Sequence, residues 1–471
     1  MQSAVTLADA VSSRQGLARL LENLIFIGAL ALIAWTAVPY GSVEFWWTAF
    51  FEVAVFSLGG LSVIAALLRD SYESERWLWL AIPAACLVVF SLLQTMPIGP
   101  SATVGGISQS IRYAISADPF ETRSFALRFS ATALLAIILL RFTTNRARLQ
   151  ALILVVIGVG VAGALFGITR QFMQHNEMGF VLRALPLGIG YGQIISRNQF
   201  AFMMEMSLAV ALGMIFRRHE QPERKLLYLA LALPIAAALI FANSRGGILT
   251  LMCQMLFLAL IVTTRPQARD QEKRVGARPS RGGRLIMFAI RGVIVVVLLA
   301  VASIAVVWVG GEKVTSNLSS VSEELKPTDE PERWNTRRIE IWKATWLMIK
   351  EHPIAGVGFG GYWIAASRYH DASGAYTPQQ AHNDYLETLA SGGLIGLSIC
   401  IWLVVAIVKR LRDVGKVFDP FRRAAWYGAL AGLFGVAIHS TVDFGLHLTI
   451  NGALCAALIT IGTARIQDHG R

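Results

Sequence analysis

Between Gln150 and Thr169 the chain reads ALILVVIGVGVAGALFGI, eighteen positions without a charge or a polar side chain. At about 1.5 Å rise per residue, a helix of that length covers roughly 27 Å, close to the hydrocarbon thickness of a bilayer. A helix packed on a water-soluble core would break such a run with polar residues every third or fourth position. Working outward, comparable runs recur at about 23–40, 45–68, 77–97, 124–140, 199–216, 226–242, 247–263, 292–310, 388–408, 424–441 and 448–463. With 150–168 they make twelve spans, so the fold class is all-α, a polytopic membrane protein.

Composition agrees. Of 471 residues 55% are hydrophobic and 15% charged, against about 25% charged in a soluble domain, which excludes the three soluble domains that the length alone would allow. The formal charge of +12 does not imply a nucleic-acid partner, because the basic residues cluster between apolar runs. Cys86, Cys253, Cys400 and Cys455 all lie inside such runs without metal-ligand spacing and read as small core residues. Arg14 and Arg19 precede a long apolar run that lacks a small-residue cleavage site, so the first run reads as a retained helix.

Orientation follows the Lys/Arg bias of the loops. A cytoplasmic N-terminus places about 27 of the 42 basic residues inside. This gives an inner segment 1–22, spans one to nine within 23–310 with outer loops 98–123 and 169–198, a large outer loop 311–387, spans ten to twelve within 388–463, and an inner tail 464–471. Both termini are expected in the cytoplasm. No internal repeat is visible, and the longest connections follow spans eight and nine. A transporter built from two six-helix repeats would put its linker after span six.

The informative residues are polar groups at the outer ends of these spans. Loop 169–198 carries Arg170, Arg183 and Arg197, the last followed by Asn198. The short outer turn Asn243-Ser244-Arg245-Gly246-Gly247 holds an arginine where the positive-inside bias disfavours one. Arg245 could cap the preceding helix or snorkel to lipid phosphate; the functional reading is an anion site, since a guanidinium fork matches phosphate oxygens. Gly246 and Gly247 would let a bulky anion approach the backbone.

In the large loop, 332–352 reads as an amphipathic helix with Ile339, Trp342, Trp346 and Ile349 on one stripe and Arg337, Arg338 and Lys343 off it. The glycine-rich stretch 352–361 lacks a nucleotide-loop context and reads as a flexible turn returning the chain to the membrane. His382 stands at the mouth of span ten beside Asn383, Asp384 and Glu387, and an imidazole titrating near pH 6.5 suits a general base. Glu205 is an acid within span six whose partner the sequence does not reveal. His439, Asp443 and His447 near the last outer hairpin raise metal ligation, but their spacing matches no recognised site and structural hydrogen bonding is the simpler reading.

Taken in order, Ser196-Arg197-Asn198, Asn243 to Gly247, Arg338-Ile339-Glu340-Ile341-Trp342, His352-Pro353, Gly356-Val357-Gly358, Ala381 to Glu387 and Gly392-Gly393-Leu394-Ile395-Gly396 resemble the bacterial O-antigen ligase and polymerase family. The resemblance covers roughly residues 196–400. It implies an inner-membrane protein of about twelve helices with a large periplasmic loop. Its reaction would move a glycan from an undecaprenyl-diphosphate carrier to an acceptor sugar hydroxyl, lipid A–core or a growing polysaccharide, with no cofactor and no metal. Arg197 and Arg245 would then hold the diphosphate and His382 would take the hydroxyl proton in one inverting displacement. Asn198, Ser244, Gly246, Arg337, Arg338, Asn383 and Asp384 would line the substrate site. The expected partners are the lipid-linked donor, the acceptor and the bilayer. Two rivals remain from the residues alone. A transporter for an anionic solute would need charges deep in several spans. A metal-dependent polyprenyl glycosyltransferase would need an acidic first outer loop, where this chain has only Glu44.

Overall fold

In a computed structural model of the protein, the residues described are 2–69, 78–103, 110–173, 190–217, 220–264, 338–370, 378–416 and 419–466. They form α1 (Gln2–Thr36), α2 (Phe45–Leu67), α3 (Leu78–Gln94), α4 (Pro119–Phe142), α5 (Arg146–Met173), α6 (Arg197–Ile215), α7 (Pro222–Phe241), α8 (Arg245–Thr264), α9 (Arg338–Glu351), α10 (Tyr362–Tyr369), α11 (Asp384–Val414), α12 (Pro420–His439) and α13 (Thr449–Thr463). Among the described residues eight helices are long and apolar enough to cross a membrane, and most of α3 (Trp79–Gln94) and all of α13 are shorter apolar helices. The all-α membrane architecture read from the apolar runs is therefore present. The expected ninth span (292–310), Arg183, Arg337 and most of the expected loop 311–387 lie outside the described residues.

The expected loop 98–123 contains more structure than its composition announces. An antiparallel hairpin, β1 (Pro97–Thr103) and β2 (Ser110–Ala114), opens it. Then α4 begins at Pro119, five residues before the apolar run, because the Asp118 carboxylate caps the Phe120 and Glu121 N–H groups at 3.1 Å.

Helix α6 is the central element: every residue from Gln199 to Ala211 is buried. Small residues let its neighbours approach. A Cβ at Gly213 would lie 2.3 Å from the Gly428 nitrogen, and one at Gly160 would lie 2.4 Å from Ser207 Cβ, so α12 and α5 meet α6 nearly backbone to backbone. Gln254 of α8 adds polar glue, its Nε2 donating to the Ala431 carbonyl at 3.0 Å and the Glu205 carbonyl at 3.3 Å.

Helix α11 is broken at Gly393, where φ is +60° and ψ −163°, a conformation essentially reserved for glycine. The N–H groups freed by the break are not left to lipid. Leu394 N–H donates to the Pro353 carbonyl (2.8 Å) and Ile395 N–H to the Ile354 carbonyl (3.1 Å). The glycine-rich turn is thus a fixed part, not the flexible return expected from its composition. Its Val357 and Gly358 N–H groups bond the Ala390 and Ser391 carbonyls at 3.0 and 2.9 Å, and Gly356, Gly358 and Gly360 hold positive φ where backbone crowds any Cβ. Gln94 of α3 clamps the assembly, donating to the Ala355 and Ser391 carbonyls (2.7 and 2.9 Å) and accepting from Phe359 N–H (3.2 Å).

The amphipathic helix exists as α9, with a different inner face. Ile341, Ala344, Thr345, Met348 and Ile349 are buried, while Trp346 is 49% exposed. The face packed on the protein is centred on Thr345, whose buried hydroxyl bonds the Tyr362 hydroxyl at 2.6 Å, and Trp346 of the expected stripe is left on the outside.

Replacing Gln94 by Ala leaves the Ala355 carbonyl and the Phe359 N–H without their partner, while the Ser391 carbonyl keeps only Gly358 N–H. It should destabilise the protein by about 2–4 kcal/mol, read as a lower thermal midpoint in detergent; an unchanged midpoint would contradict the clamp.

Candidate active site

Arg197 and Arg245 occupy equivalent places, each the first residue of a helix, α6 and α8. The turn before α8 uses a positive φ at Asn243 (+54°), after which Ser244 caps the helix, its Oγ accepting from Gly247 N–H at 3.1 Å. The same hydroxyl donates to Asn198 Oδ1 at 2.8 Å. One serine–asparagine bond therefore ties the two helix starts together, so two guanidinium-bearing residues stand on adjoining helix N-termini, where dipole and exposed N–H groups favour anions. The approach to Arg197 is held by buried Arg170 at the end of α5, which donates to the Gly192 carbonyl within the Tyr191–Ile194 bridge.

Gly246 is buried, and the space its Cβ would take is filled by His439 Nε2 at 2.8 Å and Val442 Cγ2 at 3.1 Å. Its lack of a side chain lets the arginine turn sit against the end of α12.

His382 lies just outside α11, in the left-handed region at φ +50°. Asn383 is the N-cap, its Oδ1 accepting from the Tyr385 and Leu386 N–H groups at 3.0 Å, while its Nδ2 donates to the Thr441 carbonyl at 2.9 Å. Asp384 N–H donates to the Ser440 carbonyl (2.9 Å) and its carboxylate accepts from Ser440 Oγ (2.6 Å). On the other side, Trp342 Nε1 of α9 donates to the Ala381 carbonyl at 2.9 Å, and Ala381 N–H bonds Glu387 Oε2 at 2.8 Å. The backbone around His382 is thus pinned from α9, α11 and the turn after α12.

That turn supplies a residue the sequence reading assigned no such role. Asp443 Oδ1 lies 3.5 Å from His382 Nδ1, and its Oδ2 lies 3.6 Å from Arg338 Nη2. The Asp443 side chain is 2% exposed against 34% for His382, so the carboxylate backs the imidazole from inside while the ring opens outward. Burial alone would raise the Asp443 carboxyl, but His382, Arg338 and the Phe444 N–H (2.9 Å) outweigh it and hold it below its ordinary value. Asp443 thus stays ionised at neutral pH. The His382 ring also meets Phe444 edge-on at 4.8 Å.

The other titratable groups singled out in the sequence also have partners. Glu205, whose partner the sequence hid, is bonded to His439 Nδ1 at 2.9 and 3.1 Å. His447 Nε2 faces Asp384 Oδ1 at 3.7 Å and Glu387 Oε1 at 3.5 Å. Among the described residues, no group of three or more His, Cys, Asp or Glu is arranged to hold a metal ion. His439, Asp443 and His447 take separate partners. Of the expected site residues, Arg197, Asn198, Ser244, Arg245 and Gly246 come together at one pair of helix starts, and Arg338, His382, Asn383 and Asp384 at the α11 start and the turn after α12.

Residues 228–401 match the family model described as O-antigen ligase. The match bears out the resemblance to the O-antigen ligase and polymerase family, and supports a membrane glycosyltransferase of that type. It includes Arg245, Arg338 and His382, whereas Arg197 and Asp443 lie outside it and are joined to it by the fold. No curated protein matches the chain.

A methyl at position 246 would strike a histidine ring that Glu205 holds in place, so Gly246→Ala should cost about 1–3 kcal/mol. Gly452→Ala, whose new Cβ meets nothing closer than 3.4 Å, should leave the thermal midpoint unchanged or raise it slightly. Equal midpoints for the two variants would contradict this packing.

Proposed function

We propose that the chain transfers a glycan from an undecaprenyl-diphosphate carrier to an acceptor sugar hydroxyl at the periplasmic face of the inner membrane, without a metal or cofactor. The observation that carries this reading is His382 backed by the buried carboxylate of Asp443 at 3.5 Å, in a fold whose adjoining α6 and α8 starts carry Arg197 and Arg245.

Each residue has one task in this account. The diphosphate of the donor rests against the α6 and α8 N-termini, with Arg197 and Arg245 taking up the charge that grows on the leaving oxygen. With Nδ1–H turned toward Asp443, His382 presents Nε2 to the acceptor hydroxyl and removes its proton as the oxygen attacks the anomeric carbon. The bond from that carbon to the diphosphate oxygen breaks on the opposite face, so the configuration inverts. Asp443 stabilises the imidazolium that forms. Arg338 steadies Asp443 from the other oxygen, and Asn383 and Asp384 hold His382 through the backbone. Undecaprenyl diphosphate is released with its charge on the arginines. The acceptor is lipid A–core in a ligase or a second lipid-linked chain in a polymerase; the ligase reading is preferred slightly. Glu205, the acid that an ion path through the spans would use, is instead fully paired and buried.

Purified protein in detergent, given undecaprenyl-diphosphate-linked glycan with either acceptor and with or without EDTA, should transfer glycan equally well in both arms. His382→Ala should lose about 10²–10⁴-fold and Arg245→Ala about 10²–10³-fold, with folding intact. Full activity in either variant would overturn its assignment. Solute flux without transfer would favour a transporter.

A further inference from the structure

Glu205 and His439 form a bonded pair inside the helix bundle, with side chains 1% and 0% exposed and 2.9 Å between Oε1 and Nδ1. No step of the transfer reaction touches either group. A buried polar pair of this kind is often no more stable than apolar side chains of the same volume, so stability is a poor reason for its presence. Its placement offers a better one. Glu205 sits on α6 eight residues after Arg197. His439 is the last residue of α12, and its carbonyl accepts from both Val442 N–H (2.9 Å) and Asp443 N–H (3.0 Å). The residue whose ring is fixed by α6 is therefore the one whose backbone starts the turn carrying Asp443. Phe202, also on α6, packs on the His439 ring at 5.1 Å.

We infer that Glu205 and His439 are positioning residues, a buried latch that fixes the Asp443 turn, and through it His382, relative to the helix that bears Arg197. The inference rests on the proposed transfer reaction for its kinetic consequence, and on geometry alone for its structural one.

Two replacements of Glu205 separate this role from bulk packing. Glu205→Met fills the volume without an acceptor, and Glu205→Gln keeps an oxygen to accept from Nδ1–H. In the full-length protein, Glu205→Met should lower kcat about 10–100-fold while donor KM stays within about twofold, and Glu205→Gln should stay within about threefold of the parent. Adding Asp443→Asn to Glu205→Met should cost little beyond the larger single loss, because both act through His382. A second readout needs no glycan: diethylpyrocarbonate should acylate His382 several-fold faster in Glu205→Met than in the parent or in Glu205→Gln, by peptide mass spectrometry. Parent-like kcat and acylation in Glu205→Met, equal losses in Met and Gln variants, or additive losses with Asp443→Asn would each overturn the latch. If the parent transfers no glycan, the transfer reading fails and the acylation rates alone decide the latch.

Discussion

The close approach of α6 and α12 at Gly213 and Gly428 is the constraint on which the rest of this structure depends. In a bilayer apolar side chains have no water to escape, so helices hold together by fit and by satisfied polar groups. A side chain at either glycine would drive the two helices apart, since the opposing backbone already lies within 3 Å of where a Cβ would stand. That spacing brings the last residue of α12 to Glu205 on α6 and to the Gly246 turn at the start of α8. From there the turn 440–444 reaches Asn383, Asp384 and His382. A few ångströms of extra separation would undo each of these contacts in turn.

Charge is sorted along the same line. Helix N-termini and arginines gather where α6 and α8 begin, a setting for anions. The carboxylates of Asp443, Asp384 and Glu387 gather behind histidines and backbone N–H groups where α11 begins. A reaction that expels an anion from one side and takes up a proton on the other uses such a division. The broken helix α11 contributes too: ending its N-terminal segment at Gly393 lets the glycine-rich turn and Gln94 grip that segment, with the Leu394 and Ile395 N–H groups still bonded.

Much of this was legible in the sequence, and the boundary is physical. Apolar runs report membrane spans because the bilayer imposes one length and one polarity on all of them. Arg245 stands out because an arginine in a short turn read as outer runs against the positive-inside bias, and His382 because Asn383, Asp384 and Glu387 stand beside it at the mouth of a span. Asp443 could not be connected to His382, since the contact joins residues far apart in the chain, and pairing across that distance leaves no periodic mark. The partner of Glu205 was hidden for the same reason. The face of α9 that packs on the protein was not legible, because the fit around Thr345 and Tyr362 decides it and side-chain size does not. The hairpin Pro97–Thr103 with Ser110–Ala114 left a weak signal that the search for apolar runs passed over: Gly105-Gly106 falls between the strands, and Ile111-Arg112-Tyr113 alternates over only a few residues.

The most direct test of the account is the position of a bound donor. A cryo-electron microscopy structure with an undecaprenyl-diphosphate-linked sugar should place the diphosphate within hydrogen-bonding distance of both Arg197 and Arg245. The His382 ring should then face the side of the anomeric carbon opposite the leaving oxygen, with Asp443 behind it. A diphosphate bound away from the α6 and α8 starts, or an anomeric carbon that His382 cannot approach from that side, would contradict it.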